Sequence, residues 1–381
     1  LFLFAASFAA ADDAADTARA RGAIKRLRWG RKAHAIRTLL STGVANDHPE
    51  AERIMRTMHP VRSRDIVVPD DLGPGLGATT SDVELAFTKL FGKDRSSMDF
   101  SGWCIDLLRP VRGRADIMSP LMDLCLAITN CDVPLAVFHL ITPGALAALH
   151  KDELVKQQER AAGGKPPRLR PVNKSSLLWK IATQVAIQHH EYKDAAEKLA
   201  PLQLGVGAKF GMHRMAFTAQ ELYAQGWSLA EMDAENGFNR ASRQSMLAAI
   251  QRNCPSMTRL FWMGYCSHAP LVLMRRGSDF VVMLSSEGSR MGDKFGSFAF
   301  CLAVHPAYLA IQSRCPNVVL QAATDDLKGY ARDPADLVAL FAVAREELRN
   351  HAGIALNADK SAILLAPGTP APVDAHATAP E

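Results

Sequence analysis

The chain has 381 residues, 48% of them hydrophobic and 22% charged, which is enough to bury a sizeable core over two or three domains or subdomains and excludes a wholly disordered protein. Lys and Arg number 44 against 39 Asp and Glu, a net +5 that names no partner by itself. The seven Cys, at 104, 125, 131, 254, 266, 301 and 315, contain no Cys-x-x-Cys pair, which disfavours a structural zinc site and a disulfide scaffold and predicts reduced, intracellular thiols.

The apolar run 1–11 lacks a basic start and an initiator Met, meets Asp12, Asp13 and Asp16, and is too short to span a bilayer. It reads as a core-facing helix in a chain that begins mid-protein. Residues 19–43 place Ile24, Leu27, Ala35, Leu39 and Leu40 at rough helical spacing, with no acid between Arg19 and Arg37. Two helices are predicted there, presenting either an ordinary solvated face or a surface for phosphates. The span 1–68 is thus a basic helical N-terminal segment, and 69–80, rich in Gly, Pro and Asp, a linker without nucleotide-binding glycine spacing. A helix follows at 82–91 and mostly helical text at 105–149, punctuated by Pro110, Pro120, Pro134 and Pro143. A second basic cluster surrounds a Gly-Gly-Lys-Pro-Pro turn between Lys151 and Lys180, within a helical region of 81–226.

From 227 onward the pattern is α+β. A strand ends at Asp233, a helix covers 240–252, 271–274 and 280–284 form a hairpin, and 298–311 is a helix. A strand at 317–323 runs into Asp325 and Asp326. Helix 333–351 puts Leu337, Leu340, Phe341, Ala344 and Leu348 on one face, and 362–365 is a last short strand. The tail 367–381 is expected to be disordered.

Asp233 and the Asp325–Asp326 pair both stand where an apolar strand becomes a turn. As ordinary strand-end acids they need no further role. If their strands are neighbours, however, like charges that close must bind cations or take up protons. Hard oxygen ligands suit Mg²⁺, and a pair of ions there could activate a 3′-hydroxyl and steady a leaving pyrophosphate.

Six short motifs in order extend the reading: Arg-Leu-Arg-Pro-Val at 168–172, Gln-Leu-Gly-Val-Gly at 203–207, Asp-Ala-Glu-Asn-Gly-Phe-Asn at 233–239, Ser-Glu-Gly-Ser-Arg-Met-Gly-Asp at 286–293, Ala-Thr-Asp-Asp at 323–326, and Gly-Ile-Ala-Leu-Asn at 353–357 with Lys360. The series resembles the reverse transcriptase domain of non-LTR retrotransposons. The resemblance implies an α+β, right-hand polymerase fold: a palm at 227–366 with an antiparallel sheet backed by helices and a finger insertion at about 240–284, helical fingers, and no thumb. It implies an RNA-directed DNA polymerase that adds deoxynucleotides to a primer, with an RNA template, a DNA primer and dNTP as partners, no membrane, and a nuclear or organellar location. Carried over position by position, Asp233, Asp325 and Asp326 would hold two Mg²⁺ or Mn²⁺ ions, and Phe238 would exclude a 2′-hydroxyl. Lys165, Arg168 and Arg170 would hold the triphosphate, Gly288 and Gly292 would let the backbone approach template and nucleotide, and Lys360 would lie near the phosphates.

Departures from the family's pattern are Met291 for Gln, Lys294 and Phe295 for Pro-Leu, Ala323 for Tyr, and Gly237 for Ala. They support a second reading, a polymerase-like fold retained for RNA binding or as a scaffold. A third, an RNA-templated RNA polymerase, is opposed by Phe238. His189 and His190 read as a surface pair without metal-ligand companions, Cys266 and His268 lack an orienting acid, and Trp262 and Tyr265 read as core aromatics.

Overall fold

The computed structural model describes residues 20, 21, 23, 24, 27, 28, 43–62, 65–92, 98–275 and 279–370. The expectations for 1–11, for most of the basic segment 19–43 and for the tail from 371 onward lie outside the described residues.

Helix α1 (Ala51–Met58) turns Ala51 and Met55 into a small core with Leu146, Leu169, Leu271 and Leu273. The segment 69–79 is irregular, as its composition predicts, and is strapped to the body of the protein. Leu76 is buried, and Asn130 accepts from the Ala78 N–H at 2.7 Å while donating to the Ala78 carbonyl at 3.0 Å. Helix α2 (Thr80–Phe91) begins with a capping box, the Thr79 N–H donating to Asp82 Oδ2 at 2.9 Å, and buries Val83, Ala86, Phe87 and Leu90 on one stripe. Helices α3 (Ala115–Thr129) and α4 (Leu135–Ile141) follow.

The helical text predicted to reach 149 stops short: Gly144–His150 is strand β1. Its Ala and Leu residues favour helix locally, but the segment is paired on both sides, antiparallel to β2 (Leu169–Ser175) and parallel to β4 (Ala269–Met274), and this pairing overrides propensity. Helix α5 (Leu154–Ala162) lies between β1 and β2. With β5 (Phe280–Ser285) the order is β2-β1-β4-β5, so the predicted hairpin joins a four-stranded sheet where the resemblance implied helical fingers.

Two helices follow β2, α6 (Leu177–Ala186) and α7 (His190–Leu199). Helix α8 (Gly211–Ala224) leads to the second sheet, β6-β7-β3-β8, antiparallel throughout: β3 (Ser228–Ala234), β6 (Val319–Ala323), β7 (Asp326–Ala331) and β8 (Leu356–Leu364). The turn expected at Asp325 and Asp326 falls at Thr324 and Asp325, strand β7 follows it directly where none was predicted, and β8 is longer than the predicted 362–365. Helices α9 (Arg243–Asn253), α10 (Thr258–Tyr265), α11 (Lys294–Arg314) and α12 (Pro334–Ala352) complete the chain. Helix α11 is long and apolar enough to cross a membrane by length and composition, yet most of it is packed in the protein's interior, with Phe295, Phe298, Phe300 and Tyr308 buried.

A polar hub ties helices α6, α9, α10 and α11 to one another and to the end of β5. Buried Asp293 accepts from Trp179 Nε1 at 2.8 Å, from the Tyr265 hydroxyl at 2.7 Å and from the Phe295 N–H at 3.0 Å. Arg290 donates to the carbonyls of Thr142 and Gly264, and Arg243 to Ser285 Oγ and the Gly288 carbonyl. Burial, with the neighbouring Arg290 charge, pushes the Arg243 guanidinium down to about 9.

Candidate active site

Strand pairing carries the acids into one neighbourhood. In β3, Ser228, Ala230, Met232 and Ala234 face the core, which leaves Glu231 and Asp233 on the opposite face. Pairing with β7 sets Met232 opposite Leu327 and Glu231 opposite Lys328, and Glu231 and Lys328 form an ion pair at 3.0 Å. The pairing ends at Met232 and Leu327, and the next residues on each strand, Asp233 and Asp326, follow the Glu231–Lys328 pair on the same face by alternation. Thr324 and Asp325 form the two-residue turn between the paired residues Ala323 and Asp326. Thr324 is left-handed (φ 59°), which a β-branched residue adopts only when its surroundings hold it, and its hydroxyl lies 3.0 Å from Asp325 Oδ1.

Burial raises the Asp325 carboxyl above its ordinary range and the Asp233 charge adds to this, opposed by the Thr324 hydrogen bond and by Lys151. Asp326 is raised by its surroundings in the same way, then by Asp325, Asp233 and Glu231, with Lys328 opposing. Asp325 and Asp326 are thus held above their ordinary range in part by the Asp233 charge, and Asp326 also by Asp325, as like charges placed near one another are. The donor set is oxygen only, which suits a hard divalent ion. Asp233 is instead engaged by Lys360, whose Nζ lies 2.9 Å from Oδ2, and among the described residues no three acidic, His or Cys side chains already converge as a metal-ligand group.

Lys151, directly after β1, is a site residue that sequence reasoning placed only in a general basic cluster. Its ammonium is pushed down by burial and by the charges of Lys360 and Arg170, while Asp233 opposes the shift. Lys151 thus lies within electrostatic reach of Asp233 and Asp325.

Of the other predicted residues, Lys360 stands beside Asp233, and Asn357 is its partner across β3 and β8. Phe238 stacks on Phe300 with centroids 4.6 Å apart and is half-buried. A Cβ on Gly237 would lie 2.9 Å from Ala234 Cβ and 3.5 Å from Asp325 Cβ, so the glycine lets this turn close against the acids. Arg168 forms an ion pair with Asp152 at 3.3 Å, and Arg170 is exposed two residues along. Lys165 is exposed on the turn after α5, and its backbone N–H is bonded to Arg160. The close backbone approach expected at Gly288 and Gly292 is to the protein itself. A Cβ at Gly288 would lie 2.3 Å from the Phe238 carbonyl oxygen, and one at Gly292 2.5 Å from that of Asn173. Ala323 lies buried against Leu204 and Met215, and the Met291 carbonyl accepts from the Asn173 N–H at 2.8 Å. His189 caps α7, Tyr265 is buried, and Trp262 is partly buried.

The fold and this acid cluster define an α+β chain with a carboxylate-lined sheet edge facing basic residues. No family model matches the chain. It is 25% identical over 265 residues to the retrotransposable element SLACS 132 kDa protein of Trypanosoma brucei gambiense, an alignment covering 69% of this chain. The chain spans only 21% of that relative's length. Among solved structures it is similar to an apo telomerase from Candida tropicalis truncated from its C-terminal domain, with TM-score 0.41 and 9% identity over 61% of this chain and 52% of that one. That structural likeness is loose.

Proposed function

We propose that this chain is a divergent reverse transcriptase domain, an RNA-directed DNA polymerase whose palm is the β6-β7-β3-β8 sheet and whose fingers include the β2-β1-β4-β5 sheet. The reading rests on the placement of Asp233 and of the Asp325–Asp326 pair, from two motifs about ninety residues apart, on the neighbouring strands β3 and β7 and the turn before β7, where their charges act on one another, and the similarity to a retrotransposon-encoded protein supports it. In the reaction the primer's 3′-oxygen attacks the α-phosphorus of a dNTP. One P–O bond forms, the bond to pyrophosphate breaks, and the hydroxyl proton leaves to solvent. Asp233, Asp325 and Asp326 would hold Mg²⁺ or Mn²⁺, two ions in all, which supply charge neutralisation and a more acidic 3′-hydroxyl. Lys151, whose charge acts on Asp325 and is acted on by Asp233, would meet a triphosphate there, with Arg170 beside Lys151. Phe238, held by Phe300, stands five residues after Asp233 as the group that packs against the sugar. Lys360 must exchange Asp233 for another anion when cations enter.

A second reading, a nucleic-acid-binding domain without chemistry, is favoured by two observations: the burial of Ala323 under Leu204 and Met215, and the closure of Asp233 onto Lys360. Primer extension on an RNA template with dNTPs and Mn²⁺ separates the two. The polymerase reading expects incorporation that disappears in Asp233→Ala. Salt-sensitive RNA binding without incorporation would replace it with the second.

A further inference from the structure

Gln203 has no exposed surface, and its amide is committed wholly to the backbone around one turn. Oε1 accepts from the Thr324 N–H at 2.7 Å and from the Gly205 N–H at 2.8 Å, and Nε2 donates to the Thr324 carbonyl at 3.0 Å. The flanking residues run beside β6 as an added strand: the Leu204 N–H donates to Ala322 and the Ala322 N–H to Leu202, both at 2.7 Å. A Cβ on Gly205 would stand 2.5 Å from the Thr324 nitrogen, so only glycine permits this approach. The Tyr308 hydroxyl donates to the same Thr324 carbonyl at 3.0 Å. Both backbone groups of Thr324, the left-handed residue immediately before Asp325, are therefore pinned by a single buried side chain.

We infer that Gln203 is a positioning residue: through Thr324 it fixes the direction in which Asp325 presents its carboxylate toward Asp233. Rotation of the turn breaks two hydrogen bonds to Gln203 at once and strands a buried amide, so the clamp favours one orientation. The clamp stands on geometry alone; its consequence for cation binding rests on the polymerase reading.

The test uses the full chain, with Gln203→Met, which keeps length and volume but neither hydrogen-bonding group, and Gln203→Glu, which keeps the acceptor alone. Leu348→Ala, a core variant in α12, controls for lost stability. Hydrogen exchange across 318–330 reads the turn, and titration with Mn²⁺ alone reads the acids. In Gln203→Met, exchange at Thr324 and Asp325 is expected to quicken and Mn²⁺ binding to weaken about tenfold, the factor that one or two ordinary hydrogen bonds carry. Gln203→Glu should fall between, and Leu348→Ala should leave the Mn²⁺ isotherm unmoved. Unchanged exchange in Gln203→Met would overturn the clamp. Faster exchange with undiminished Mn²⁺ binding would overturn the positioning role. A wild-type chain whose Mn²⁺ binding does not depend on Asp325 would instead overturn the polymerase reading, and the positioning role with it.

Discussion

Asp293 ends the motif 286–293, yet its surroundings make it a strut that holds helices α6 and α10 to the start of α11. Replacing it with Ala removes the acceptor for two buried donors, Trp179 Nε1 at 2.8 Å and the Tyr265 hydroxyl at 2.7 Å. Each then loses its partner in a place water does not reach, at about 1–3 kcal/mol apiece. The cap on α11, a bond from the Phe295 N–H at 3.0 Å, contributes about 1 kcal/mol more. Arg290, buried 3.9 Å away, also loses its nearest carboxylate. The loss for Asp293→Ala is therefore about 5 kcal/mol, the lower end of a typical domain's whole stability. Asp293→Asn keeps an oxygen for the cap but points an amide at the Trp179 N–H, and should cost about 2 kcal/mol. Urea unfolding followed by tryptophan fluorescence measures both. The reasoning fails if the two variants unfold within about 0.5 kcal/mol of wild type, or if Asn costs more than Ala.

Asp325→Asn should raise the melting temperature of the metal-free chain at pH 7. The folded chain holds the Asp325 proton more tightly than the unfolded chain does, so ionising this carboxyl costs stability as pH rises. The gain should vanish below about pH 3.9, where the acid is protonated in both states, and melting curves across pH 3–7 check the sign. Lys360→Ala removes the ammonium that engages Asp233. The pair is partly exposed, so its release should tighten Mn²⁺ binding by no more than about fivefold, measured by titration.

Strands β3 and β6 were legible because each alternates toward a core and ends on acids. The apolar stripe of α12 was readable for the same kind of local reason, and the capping box of α2 emerges only in the structure. What escaped depended on partners distant in sequence. Strand β1 is written in helix-forming Ala and Leu and is a strand through its neighbours. Strand β7 carries Gly329, where a Cβ would stand 2.3 Å from Leu340 Cδ2, so packing imposed the residue that weakens the strand signal. Without β1, Lys151 had no route to Asp233 and stayed one charge among many. The motif order located the acids, but only the pairing of β3 with β7 shows that their strands are neighbours. The motif glycines at 288 and 292 were read as openings toward a ligand, whereas they admit the protein's own backbone. Neither the contact at Asn239 nor the one at Asn173 leaves a trace in local spacing.

The central claim is that the carboxylates gathered at the β6–β7 turn carry out phosphoryl transfer. Single-nucleotide incorporation onto a primer annealed to RNA, with Mn²⁺ and matched amounts of folded wild-type and Asp325→Asn protein, tests it most directly. The account predicts incorporation by the wild type and a loss of at least about a thousandfold in a variant that is no less stable. Incorporation by Asp325→Asn at the wild-type rate would contradict it.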